Sequence, residues 1–159
     1  MKRTLATLGL VGMVALSTLA GLAGAFPSGY VVHGGTTATK VKVILAPGGD
    51  ENKLKPVPTV TKAGEVTFVV SNQANLGPTH YGEQHELVVL KTDLAPGKLR
   101  VDNLRDQVIE TGRVGLPLPV NPGKTRTITL NLNPGNYVLI CNLPGHYRSG
   151  QHAAFRVSG

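Results

Sequence analysis

The stretch 133–152, "NPGNYVLICNLPGHYRSGQH", contains the only cysteine of the chain and, five residues beyond it, a histidine behind a Leu-Pro-Gly turn. Its first part reads as a strand, Tyr137–Cys141, entered through Asn133-Pro134-Gly135, where proline and glycine suit a tight turn. Pro144 and Gly145 then reverse the chain again, which can bring the imidazole of His146 back beside the sulfur of Cys141. A chain with one cysteine makes no internal disulfide. Cys141 is therefore an inert buried side chain, a nucleophile, or a thiolate that binds a metal.

Outward from this stretch, short β-type runs recur between Gly, Pro and Asn punctuation: Lys40–Leu45, Glu65–Ser71, His85–Lys91, Thr125–Leu132, Tyr137–Cys141 and Ala153–Val157. Such spacing predicts an all-β sandwich or barrel of closely spaced antiparallel strands. In an extended run alternate residues share a face, so His85 lines up with Leu87 and Val89, and Cys141 with Leu139 and Tyr137. The two side chains can then point into one end of the sandwich. Only the segment from Val101 to Gly112 departs from this pattern. There Val101, Leu104, Val108 and Ile109 fall near helical spacing, which predicts a short helix or an irregular flap.

At the N-terminus, Lys2 and Arg3 precede an uncharged run from Leu5 to Ala25 that closes on Ala23-Gly24-Ala25. This reads as a secretory signal peptide (1–25), with an uncleaved membrane anchor as the alternative. A small and polar lead-in (26–39) and a single domain (40–159) follow. Without the leader the chain keeps 14 Lys and Arg against nine Asp and Glu, a net charge of +5. Its basic residues are scattered without interleaved aromatics, which argues against nucleic acid and leaves an acidic protein or an anionic membrane surface as the expected contact. A lone cysteine is unusual in an exported protein, where oxidising conditions favour pairs.

The chemistry rests on Cys141, His146 and Gln151, spaced Cys-x4-His-x4-Gln. A copper electron-transfer site needs one thiolate, two imidazoles in a near-trigonal arrangement and a weak axial donor such as Met or Gln. The segment supplies three of these four groups. His85, at the head of a strand, is the candidate for the second imidazole; His80, in the loop "NLGPTHYGEQ", competes with it. His33 reads as a surface residue of the lead-in, and His152 competes with Gln151 for the axial position. Asn72 and Gln84 read as a turn former and an exposed polar residue, or as supports of the ligand loop. A catalytic Cys-His pair fits poorly, because this cysteine ends a strand instead of opening a helix.

The segments "GEQHELVVLKTD" (82–93) and "NPGNYVLICNLPGHYRSGQH" (133–152) resemble the small blue copper proteins, the cupredoxins, most closely the sulfocyanin-like and rusticyanin-like forms. The resemblance spans about 40–157. It implies a Greek-key β-sandwich or barrel and one mononuclear copper, with His85, Cys141 and His146 as equatorial ligands. Gln151 stands where most members carry an axial methionine, as in the stellacyanin-like branch. The implied function is an exported, monomeric carrier of single electrons between redox partner proteins such as a cytochrome or an oxidase, and not an enzyme by itself. Copper delivery or storage is the alternative, and a red-copper catalyst in which Gln151 swings away is a third. Zinc could occupy the same donors.

Overall fold

The computed structural model describes residues 38–74, 76, 77 and 80–159, with the side chains of 76, 77, 80 and 81 left out. The expected leader, residues 26–37 of the lead-in and His33 lie outside the described residues, as does the side chain of His80. Among the described residues no helix is long and apolar enough to cross a membrane.

Among the described residues thirteen strands run in chain order: β1 (Thr39–Leu45), β2 (Leu54–Val57), β3 (Val60–Lys62), β4 (Gly64–Asn72), β5 (Leu76–Gly77), β6 (His80–Tyr81), β7 (His85–Lys91), β8 (Val101–Asp102), β9 (Gln107–Val108), β10 (Leu118–Val120), β11 (Thr125–Leu132), β12 (Gly135–Ile140) and β13 (His152–Ser158). Two sheets form the body, one ordered β11-β4-β1-β2 and the other β10-β7-β12-β13-β3. All six runs expected from the sequence are strands. Of those not foreseen, β2 and β10 carry Pro56 and Pro119 and close an edge of each sheet, the place where a missing N–H costs no ladder bond.

The sandwich core follows from alternation. Val41, Val43 and Leu45 of β1 turn inward while Lys40 and Lys42 face solvent, and Val66, Phe68 and Val70 of β4 do the same. They meet Leu87 and Val89 of β7, Tyr137 and Leu139 of β12, and Phe155 and Val157 of β13 in one cluster. Each such side chain, fully buried, contributes roughly 1.5–3 kcal/mol relative to exposure. Phe68 and Phe155 meet edge-on across the sheets, ring centroids 5.5 Å apart. The parity of His85 with Leu87 and Val89, and of Cys141 with Leu139 and Tyr137, therefore aims both toward this interior.

Two ladders correct the antiparallel expectation. β1 pairs with β4 in parallel, and β13 with β3. The cause is a crossover: after β2 the chain leaves the first sheet, lays β3 along β13 in the second, and returns as β4 in the direction of β1.

β7 and β12 are buried on both faces. Val88, Leu90, Val138 and Ile140 form a second cluster on the outer side, covered by Val108, Tyr147, Leu99 and Val101. Apart from Tyr147 the cover is the segment after β7, and it is the flap, not the helix, of the sequence expectation. Helical burial fails there because Leu104 is 99% exposed and Ile109 is 47% exposed. The side chain of Asp102 takes the N–H groups of Leu104 and Arg105, at 2.9 and 3.4 Å, and Asp106 has a φ of 53°. The chain thus turns on itself between β8 and β9, which pair as a short hairpin.

Candidate metal centre

β7 and β12 run side by side, with Val88 opposite Ile140. The start of one strand therefore lies beside the end of the other, and His85 meets Cys141 there. Both are fully buried. The loop 141–151 closes this end of the sandwich. His146 N–H reaches back to the Leu143 carbonyl at 3.1 Å around Gly145, whose φ is 83°, so the expected Pro-Gly turn is present. One helical turn, α1 (His146–Ser149), follows, where the sequence suggested only loop. Gly150, at φ 113°, returns the chain, and Cys141 N–H donates to the Gln151 carbonyl at 3.1 Å. Cysteine and glutamine are thus one rung beyond the pairing of Ile140 with His152.

Three donor atoms converge. Cys141 Sγ lies 3.4 Å from His146 Nδ1 and 3.9 Å from His85 Nδ1, and the two Nδ1 atoms lie 3.1 Å apart. A circle through the three has a radius of about 2.0 Å, so a point in their plane sits at ordinary metal–ligand bonding distance from all of them. The trio therefore fits a first-row metal ion in trigonal coordination.

The outer faces of the imidazoles meet carboxylates. His85 Nε2 lies 2.6 Å from Glu51 Oε2, and His146 Nε2 lies 3.3 Å from Glu83 Oε2. A carboxylate only accepts, so the hydrogen bonds assign the His85 proton to Nε2 and leave Nδ1 a lone pair aimed at the sulfur. Burial pushes the His85 imidazole below its ordinary pKa, opposed by the Glu51 carboxylate. The Glu86 N–H points at Cys141 Sγ from 3.3 Å, a donor suited to a thiolate.

Gln151 is fully buried beside this group. Its amide nitrogen donates to the Glu51 carbonyl and lies 3.3 Å from His85 Nε2. Its Oε1 has no hydrogen-bond partner among the described residues. An unsatisfied buried acceptor costs about 1–3 kcal/mol, which a cation would offset. The neighbouring His152 goes elsewhere: its ring packs on Tyr147, centroids 5.1 Å apart, and against Gly97.

A second layer holds the loop. The buried Asn72 side chain donates to the carbonyls of Glu83 and Val120, both at 2.9 Å, and accepts from Ala74 N–H, so it buttresses the approach to His85. Gln84 is exposed and bonds Asn121, away from the cluster. From the flap side, Asn142 pairs its side chain with the N–H and carbonyl of Val108, at 2.6 and 3.1 Å, and Gln107 donates to the Asn142 carbonyl at 2.7 Å. Tyr147 hydroxyl donates to the Pro96 carbonyl at 2.5 Å. Arg148 pairs with Asp106 at 2.7 Å. The loop is fixed on both sides, so its donor atoms move little. Glu51, Glu83, Asn142 and Tyr147 were not singled out from the sequence; only Glu83, Asn142 and Tyr147, inside the quoted stretches, stood near a signal.

The Cys141 thiol is pushed up to about 11, chiefly by burial. It is therefore protonated at pH 7–9 without a metal, and binding a cation as thiolate must release that proton. The affinity for zinc, a redox-silent probe, is expected to rise about tenfold per pH unit from 7 to 9. Chelator competition across that range measures it; a flat profile means that the sulfur stays protonated and does not bind.

No protein-family model matches the sequence, and no curated protein matches it. Solved structures do. The dithionite-reduced auracyanin of the photosynthetic bacterium Roseiflexus castenholzii is 20% identical with a TM-score of 0.54, covering 79% of this chain and 100% of its own. Auracyanin B is 24% identical with a TM-score of 0.52, covering 78% and 91%. Rusticyanin from Thiobacillus ferrooxidans is 18% identical with a TM-score of 0.51, covering 77% and 79%.

Proposed function

From the premise that the chain has the cupredoxin fold, we propose that it carries single electrons on one copper ion held by His85, Cys141 and His146, with Gln151 as axial donor. The observation that carries this reading is the convergence of one Sγ and two Nδ1 atoms within 3.1–3.9 Å at the buried end of the sandwich. One thiolate and two imidazoles with a weak axial donor are the set that suits copper in electron transfer, whereas structural zinc prefers more sulfur or histidine. When bound, copper supplies a one-electron couple between Cu(II) and Cu(I).

The protein's own residues do the rest. Cys141 supplies the charge that favours the oxidised ion, and the Glu86 N–H steadies that charge. His85 and Cys141 exclude water, while the side chain of His146 is 18% exposed and offers the shortest way from the site to a partner. The clamp of Asn72 behind and the flap in front keeps the donors in one arrangement in both oxidation states, which lowers the reorganisation that electron transfer requires. The auracyanin that shares this fold was solved after reduction with dithionite, which supports a redox reading. Export is supported by the basic, then uncharged, N-terminal sequence. Redox partner proteins follow from the carrier role.

The test is the visible spectrum of the chain loaded with Cu(II). An intense absorption from sulfur to copper is expected. A colourless protein that holds and readily yields Cu(I) would overturn electron transfer in favour of copper delivery.

A further inference from the structure

Glu51 lies 34 residues before His85 and 100 before Gln151, yet it touches both. It is presented by a turn between β1 and β2 in which Asp50 accepts from Asn52 N–H at 3.1 Å and pairs with Lys53 at 2.6 Å. This turn lies directly against the returning ligand loop: a Cβ added at Gly150 would stand 2.9 Å from the Asn52 carbonyl. Glycine there, at φ 113°, allows the two segments to meet.

We propose that Glu51 is the positioning residue of the metal centre, setting two donors at once: its carboxylate holds His85 with the proton on Nε2, and its carbonyl holds the Gln151 amide. The first contact leaves His85 Nδ1 as the lone pair facing Cys141 and His146. The second decides which end of the Gln151 amide is free, because a carbonyl accepts only from NH2 and so leaves Oε1 as the unpartnered atom. A carboxylate behind a ligating imidazole also raises its donor strength and places a negative charge near the ion. That charge favours Cu(II) over Cu(I). Glu83 makes the corresponding contact to His146, but at 3.3 Å and with its side chain 66% exposed, where water screens it. Glu51 is 32% exposed and faces a fully buried imidazole.

The inference rests on the copper reading, and its test separates the two. In the metal-free full chain, long-range proton–nitrogen NMR is expected to show His85 as the Nε2–H tautomer in the wild type and a mixture in Glu51→Ala. In the copper-loaded chain, Glu51→Gln is expected to raise the reduction potential by about 59 mV, a tenfold change in the Cu(II)/Cu(I) preference. Glu51→Asp is expected to recover part of that change, and Glu83→Gln to move the potential by less than half as much. An unchanged tautomer in Glu51→Ala, or a Glu83→Gln shift equal to that of Glu51→Gln, overturns the proposal. A wild-type chain that takes up copper without an intense band overturns the copper reading instead, and leaves the tautomer comparison to decide the role of Glu51.

Discussion

Cys141→Ser abolishes the intense visible absorption of the copper-loaded chain and leaves its far-UV circular dichroism unchanged. The absorption requires charge to pass from a thiolate to Cu(II), and among the described residues Cys141 carries the only sulfur. The fold does not depend on that sulfur. The sandwich is held by Phe68, Phe155, Leu87, Leu139 and their neighbours, and the outer cluster by Leu90, Ile140 and Tyr147, with Cys141 in neither. A serine oxygen can still accept the Glu86 N–H that now points at Sγ. The hydroxyl of serine does not ionise near neutral pH, so copper affinity falls together with colour. Absorption and circular dichroism of the same sample decide it; a serine variant that stays coloured removes copper–thiolate ligation from the account.

The strands that bear the donors were the most legible part of the chain. His85–Lys91 and Thr125–Leu132 have the same bounds in sequence and structure, because each is a run rich in β-forming residues with turn formers nearby on both sides. Parity then brought His85 and Cys141 to one interior, since a strand leaves its side chains only two directions. What stayed hidden depends on contacts distant in sequence. Nothing local marks Glu51, in a loop of Gly, Asp and Asn, as the residue behind His85. The parallel pairing of β1 with β4 follows from a crossover, which no periodicity within either strand records. Of the helix or flap expected over 101–112 the flap is present: Val101 and Val108 do turn inward, yet through a short β-hairpin, while Leu104 is left in solvent. Asn142 reads as a polar loop residue, although its amide stands in for a strand by pairing with both backbone groups of Val108.

Gln151→Met raises the reduction potential on the order of 100 mV, where ~59 mV is a tenfold change for one electron. An amide oxygen is a hard donor that favours Cu(II), whereas a thioether binds Cu(II) weakly and Cu(I) comparatively well, which fixes the sign. The geometry gives the claim a second arm. Gln151 is fully buried with Oε1 unpartnered and its nitrogen held by the Glu51 carbonyl. Methionine removes both the oxygen donor and the tie to Glu51, and both changes withdraw support from Cu(II). Gln151→Ala removes the donor without replacing it, so the site opens to water or small anions and its spectrum comes to depend on added azide. His152→Ala is the control. Its ring lies against Tyr147 and Gly97, on the flap side of β13, and its loss should shift the potential far less. Voltammetry on the three variants ranks them: a Gln151→Met potential at or below the wild type, or a larger shift from His152→Ala, would withdraw Gln151 from the axial position and transfer attention to His152.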